Sequence, residues 1–300
     1  MAVSQESFSF DDQAGAFERR AGIPPEAAIS AARDLADALL PTGTDVLLDI
    51  GAGSGELGRH LAQAAPRYLG FDLSFPMLAE FQSKRSRLPF PLVQADADAH
   101  WPVRGGSVRA VLFSRSAHLM NLTHQLRELW RVAHPGGAWV IIGRVERDAM
   151  SMRSQLRDQM LALLDEHAPR PRRAAATIER SGAGDGRGRA RGMKRRLERA
   201  LVELGAQVEA ARVAGRWVVE DSLTGILDDW RSKSGLGGRD LDSGIKSEVL
   251  RALETWGAAR FGTLSGSKET CERRFEWTPI RLPLPLPPLP QPTNVQAPSQ

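Results

Sequence analysis

The stretch Val46-Leu47-Leu48-Asp49-Ile50-Gly51-Ala52-Gly53-Ser54-Gly55 constrains this chain more than any other. Five residues that read as a buried strand run into a loop with three glycines in five positions, and a helical pattern starts at about residue 56. Glycine adopts backbone angles closed to other residues and lets a ligand reach the main chain. In a sheet of parallel strands joined by helices, the loop after the first strand lies at the carboxyl edge, where ligands bind. A merely tight turn does not call for so many glycines.

The rest of the first half repeats this unit. Short apolar runs at 68–71, 90–93, 108–113 and 138–142 predict strands. Between them, 76–84 and 121–133 predict helices, the second with Leu122, Leu126, Leu129 and Val132 on one face. Pro24 and Pro25 open an alanine-rich helix that runs to residue 40. Strands alternating with helices of this length give an α/β fold with a doubly wound, Rossmann-like sheet. The second half is less regular: a helix over 148–167, a helix over 193–204, a strand over 206–213, largely helical sequence over 218–262 and a last strand over 269–277.

Charge is unevenly placed. The 300 residues carry a net charge of +4, yet residues 170–199 hold eleven basic and three acidic residues, a net +8 that leaves −4 for the remainder. The basic character belongs to one segment rich in Arg, Gly and Ala, read as a mobile loop over 168–192. The last twenty residues hold seven prolines and no core pattern, so 281–300 is expected to be a disordered tail. The expected organisation is an N-terminal cap segment over 1–22 and one domain over 23–280. That domain has core motifs at 45–143 and a helical insert at 216–265. No apolar run approaches the roughly 20 residues of a membrane span. The start MAVSQESFSFDD has neither the basic nor the apolar part of a secretory signal, and the single cysteine, Cys271, cannot form an internal disulfide. A cytoplasmic setting is expected. One cysteine and six scattered histidines give no metal-ligand cluster, so no metal is expected.

Two ligands fit a glycine loop at this place. Gly53-Ser54-Gly55-Glu56-Leu57-Gly58 matches the G-x-G-x-x-G dinucleotide pattern, with Asp72 nineteen residues beyond Gly53. Counted from the strand end, however, the first loop glycine is Gly51, which puts Glu56 where the third glycine belongs and a like charge against a pyrophosphate. Asp49 inside the turn suits an ammonium group and not a phosphate. The loop reads as built for a ligand with an amino acid end.

Four motifs in order extend this reading: Asp49 to Gly55; Gly70-Phe71-Asp72-Leu73-Ser74 with Met77-Leu78; Ala95-Asp96-Ala97-Asp98 before Trp101-Pro102; and Leu126-Arg127-Glu128-Leu129 leading to His134-Pro135-Gly136-Gly137. Together they resemble class I S-adenosylmethionine-dependent methyltransferases of the quinone-biosynthesis-like, small-molecule group, closely over 45–143. The resemblance implies a mostly parallel sheet with an antiparallel final strand and helical insertions in the C-terminal half. It implies S-adenosylmethionine as cofactor. Gly51, Ala52, Gly53 and Gly55 would pass its ribose and methionine part, Asp49 would hold its amino end, and Asp72 would accept from the ribose hydroxyls. Asp96 and Ala97 would meet the adenine edge, Leu73 and Met77 its faces, while Ser114 and Arg115 would line the methionine side. The family often has an acid near the start of the fourth strand; Arg109 stands there instead, read as a changed structural contact.

Methyl transfer from a sulfonium is an in-line displacement that alignment accelerates. A base is needed only when the acceptor carries a proton. His118 is the candidate catalytic base, with His124 second. Phe10, Phe17, Trp217 and Trp230 are candidates to shape an apolar acceptor site, and Arg19, Arg20 and Arg144 to meet an acidic one. A small-molecule acceptor is the expected partner. A nucleic-acid methyltransferase using the basic segment is the alternative, disfavoured because that segment has no aromatic residue for base stacking. Two further readings are a cofactor-binding protein without catalysis and a nicotinamide-dependent oxidoreductase.

Overall fold

The computed structural model describes residues 22–289 apart from 41–42, 66, 85–89, 168–185, 234, 238, 240 and 264–265. Helix α1 (Pro25–Leu39) precedes β1 (Val46–Ile50), α2 (Gly58–Ala64), β2 (Arg67–Asp72), α3 (Phe75–Lys84), β3 (Leu92–Gln94), β4 (Ala110–Ser114), α4 (Leu122–Val132) and β5 (Trp139–Arg147). Then come α5 (Met152–His167), α6 (Gly186–Glu203), β6 (Gln207–Val208), β7 (Arg212–Ser222), α7 (Leu223–Arg231), α8 (Ser243–Phe261) and β8 (Lys268–Arg281).

The sheet order is β3-β2-β1-β4-β5-β8-β6, with β7 also paired to β8. Strands β1 to β5 pair in parallel, and β8 runs antiparallel to β5, as the alternating pattern and the resemblance imply. The order reverses between β1 and β4, so both strands deliver their following loops to one crevice at the carboxyl edge.

Each face of the sheet has its own core. Ala28, Ala31, Ala32 and Leu35 form the helical stripe by which α1 buries itself, joined by Leu47, Phe81, Ile141, Phe275 and Trp277. On the other face Leu48, Ile50, Val111, Phe113, Val140 and Ile142 pack with Leu129 and Val132 of α4 and Leu197 and Leu201 of α6. The alternation of β1 decides these memberships, since Leu47 and Leu48 point to opposite faces. A third core is separate: Leu156 and Leu164 of α5, Leu223, Leu227 and Trp230 at α7, and Val249 and Leu253 of α8 form a helical lobe.

Three expectations change here. The segment 218–262 is not helical from its start, because β7 continues to Ser222 and pairs along β8 from Arg212↔Trp277 to Ser222↔Lys268. The side chains of Ser222 and Asp242 then cap α7 and α8. The basic loop expected over 168–192 gives way to helix from Gly186, anchored by Leu197 and Leu201, both fully buried; 168–185 lies outside the described residues. The tail expected from 281 is ordered through 289. Leu282 is buried and its N–H donates to Ala138 O at 3.0 Å, and Trp130 Nε1 donates to Pro287 O at 2.7 Å. The cap segment over 1–21, with Phe10, Phe17, Arg19 and Arg20, and residues 290–300 lie outside the described residues. Among the described residues no helix is long and apolar enough to cross a membrane.

Candidate active site

The loop after β1 is pinned to the end of β2. Gly51 and Ala52 donate their N–H groups to Phe71 O at 2.9 and 3.0 Å. Gly53 donates to Asp72 Oδ2 at 2.8 Å, and Ser74 N–H to Asp72 Oδ1 at 2.9 Å. Both carboxylate oxygens are thereby oriented at the strand tip. Gly51, Gly53 and Gly55 all have left-handed φ, at 69°, 57° and 75°. Their surroundings differ. A Cβ on Gly55 would lie 2.2 Å from the Phe81 ring, whereas one on Gly53 would meet nothing within 4 Å. Gly55 is there for packing against Phe81, whereas the space beside Gly53 is open.

Asp49 lies beneath this loop and is 2% exposed. Tyr68 donates its hydroxyl to Asp49 Oδ2 at 2.8 Å, while Oδ1 has no hydrogen-bond partner among the described residues. Burial pushes the Asp49 carboxyl up to about 7; the Tyr68 hydrogen bond opposes that rise, and the charge of Asp72 adds to it. A buried acceptor left unmatched is costly, and a cationic donor is the partner that relieves it.

The third strand tip is more open. Asp96 is exposed, and its Oδ1 accepts from Asp98 N–H at 2.8 Å. Trp101 fixes the loop from below: Nε1 donates to Ala97 O at 3.0 Å, and the indole is fully buried between Phe71 and Phe113. Glu128 of α4 accepts from Trp101 N–H at 2.8 Å and pairs with Arg131. Asp98 Oδ1 accepts from Asn121 N–H at 2.7 Å, joining this loop to the start of α4.

Beyond β4 the chain turns sharply. Ser114 is half-buried, and Arg115 takes a left-handed φ of 61°, unusual for a residue with a side chain. The Arg115 guanidinium pairs with Glu56, whose other oxygen accepts from Ile23 N–H. Ser116 donates its hydroxyl to Ile50 O, tying the turn to the residue before Gly51. His118 follows in a short 3-10 turn, Ala117–Leu119, half-buried on the same rim. Helix α6 packs against this turn.

Several candidates find other duties. His124 Nε2 meets Ala99 O at 2.6 Å, which assigns it to the loop after β3. Arg144 pairs with Glu146 and Glu276, so its charge is already matched. Trp230 is buried in the helical lobe, and Trp217 packs beside the α1 core. Of the two apolar side chains expected at an adenine, Leu73 is 38% exposed and Met77 only 3%. Only Leu73 presents surface here; Met77, whose N–H donates to Ser74 Oγ, faces inward because it sits on the buried stripe of α3 with Leu78 and Phe81. Arg109, where the family often has an acid, donates to Gly136 O and Gly137 O at 2.8 and 2.7 Å and so clamps the turn before β5. Tyr68 and Ser116 escaped sequence reasoning as parts of the site. A lone polar group inside a strand or turn carries no spacing signal.

Residues 48–141 match the methyltransferase domain family. A Mycobacterium tuberculosis protein named as an uncharacterized methyltransferase is 32% identical over 132 residues, covering 44% of this chain and 50% of its own length. A second from that species is 28% identical over 108 residues, covering 36% of this chain and 55% of its own. The match thus spans about half the length of these curated relatives. A solved structure from Anaeromyxobacter dehalogenans, described as a candidate type II methyltransferase, superposes with a TM-score of 0.52 at 15% identity. It covers 85% of this chain and 96% of that one, a likeness of fold. The methyltransferase domain match thus falls on residues 48–141, within a fold shared over most of the chain with that solved structure.

Proposed function

We propose that this protein transfers a methyl group from S-adenosylmethionine to a small-molecule acceptor by in-line displacement. The observation that carries the reading is Asp49. A buried carboxylate oxygen without a partner among the described residues, directly beneath a glycine loop, suits the ammonium end of that cofactor and repels a pyrophosphate. Glu56, at the place where the dinucleotide pattern has its third glycine, is a buried carboxylate engaged by Arg115 and by Ile23 N–H. Asp72, oriented by two main-chain N–H groups, would take the ribose hydroxyls as a carboxylate acceptor. Gly51, Ala52 and Gly53 would line the approach to the main chain, and Ser114 the methionine side. Asp96, Ala97 and the exposed Leu73 would meet the adenine.

When bound, the cofactor supplies a methyl group already activated on a sulfonium. The protein's part is alignment and exclusion of water. The rigid links Ser116–Ile50 and Arg115–Glu56 hold the turn after β4 against the loop after β1. His118 on that turn would accept a proton from an acceptor that carries one. Calorimetric titration of the full chain with S-adenosylmethionine tests the reading. Binding that Asp72→Ala weakens strongly supports it, and binding of NAD in its place overturns it.

A further inference from the structure

We propose that Tyr68 is a positioning residue that holds Asp49 with one carboxylate oxygen turned to the amino acid end of the cofactor. The inference rests on the methyltransferase reading above and deepens it.

Tyr68 is the sole tyrosine of the chain, and it is buried. The enclosure is built from glycines on two elements. A Cβ on Gly58 of α2 would lie 2.4 Å from the Tyr68 hydroxyl oxygen, and one on Gly70 of β2 would lie 2.8 Å from it. Any side chain at either place would push the phenol off Asp49. The ring itself is held edge-on by Phe90 and Phe81, at centroid distances of 5.4 and 6.2 Å. The hydroxyl therefore has one place to be, 2.8 Å from Asp49 Oδ2. Engaging Oδ2 leaves Oδ1 as the oxygen without a partner among the described residues.

The same bond bears on charge. The groups that act on Asp49 are Tyr68, which favours the carboxylate by donating to it, and Asp72, whose negative charge disfavours it. Elsewhere Asp49 meets apolar β4 through Leu112 in the sheet register, and Glu56 is held in its own pair with Arg115. Burial and the neighbouring Asp49 push the Tyr68 hydroxyl well above the ordinary tyrosine value, so it remains a donor. Without that donor, Asp49 would ionise at a pH still higher than about 7.

The test is Tyr68→Phe, with two ligands titrated into wild type and variant. S-adenosylhomocysteine carries the amino acid end; 5′-methylthioadenosine shares the nucleoside and lacks that end. At pH 7 the variant is expected to lose about tenfold in affinity for S-adenosylhomocysteine, the scale of one hydrogen bond to a charged group. Its affinity for 5′-methylthioadenosine should stay within about twofold of wild type, a control that general loosening of the loop would not pass. The rise of S-adenosylhomocysteine affinity with pH should also move upward in the variant. Equal loss for both ligands, or no loss for either, overturns the role of Tyr68 while leaving the cofactor assignment standing. Failure of wild type to bind S-adenosylhomocysteine overturns the cofactor assignment and this inference together.

Discussion

Arg115 and Glu56 form an ion pair that joins the turn after β4 to the loop after β1. Glu56 is 5% exposed, and its second oxygen takes the N–H of Ile23, just before α1. Three segments far apart in sequence therefore meet on one carboxylate. Removing one member of such a pair leaves a poorly solvated charge behind. Arg115 keeps some contact with water, its side chain being 23% exposed, which tempers the cost. Glu56→Gln is expected to lower stability by about 2 kcal/mol. Urea denaturation checks this, and an unchanged midpoint would count against the pair as a structural tie.

The two loop glycines Gly53 and Gly55 should fail in different ways. Gly55→Ala drives a Cβ into the Phe81 ring at a left-handed φ, so a loss of about 3 kcal/mol in stability is expected. Gly53→Ala meets no atom within 4 Å and should cost only about 1 kcal/mol from its backbone angle. Its effect belongs to ligand approach, with cofactor affinity falling by about tenfold or more. Thermal unfolding beside calorimetric titration separates the two; a Gly53→Ala variant with full affinity would remove Gly53 from the ligand path.

Glu128 contributes to the acid limb of the stability curve. Burial alone would raise its carboxyl, but hydrogen bonds from Arg131 and from Trp101 N–H, with the charges of Arg131 and His100, outweigh that and hold it below its ordinary value. A folded-state value below the unfolded one means that the carboxylate stabilises the fold at neutral pH. That contribution fades as pH falls through the lowered value. Glu128→Gln is expected to cost about 1–3 kcal/mol at pH 7 and to flatten the acid limb. Denaturation at a series of pH values reads both, and parallel acid limbs for the two proteins would contradict the assignment.

His118 is testable apart from cofactor binding. His118→Ala should lower kcat on the order of a hundredfold for an acceptor that loses a proton, with cofactor affinity unchanged. An unchanged rate on a turned-over acceptor takes His118 out of the mechanism.

The sheet was legible because its signals are local. Apolar runs alternate with helical stripes, and three glycines after Asp49 mark the loop. The acids at strand ends, Asp49, Asp72 and Asp96, were legible for the same reason. What escaped was set by tertiary packing. The segment from Gly186 looked like a loop because its glycines weaken the helical pattern, yet burial of Leu197 and Leu201 holds the helix. Residues 218–222 looked helical because β7 shows its strand character only against β8. Met77 was expected at a ligand, but the stripe it shares with Leu78 and Phe81 turns it to the interior. Tyr68 was invisible because nothing in a strand sequence says which carboxylate a phenol will reach.

The most direct measurement is calorimetric titration of wild type and Asp72→Ala with S-adenosylmethionine, with NAD as the competing ligand. The expected result is saturable binding of S-adenosylmethionine by wild type, no binding of NAD, and a loss of about a hundredfold or more in the variant, the scale of two charge-assisted hydrogen bonds. Binding of NAD without S-adenosylmethionine, or equal S-adenosylmethionine affinity in both proteins, would contradict the proposed site.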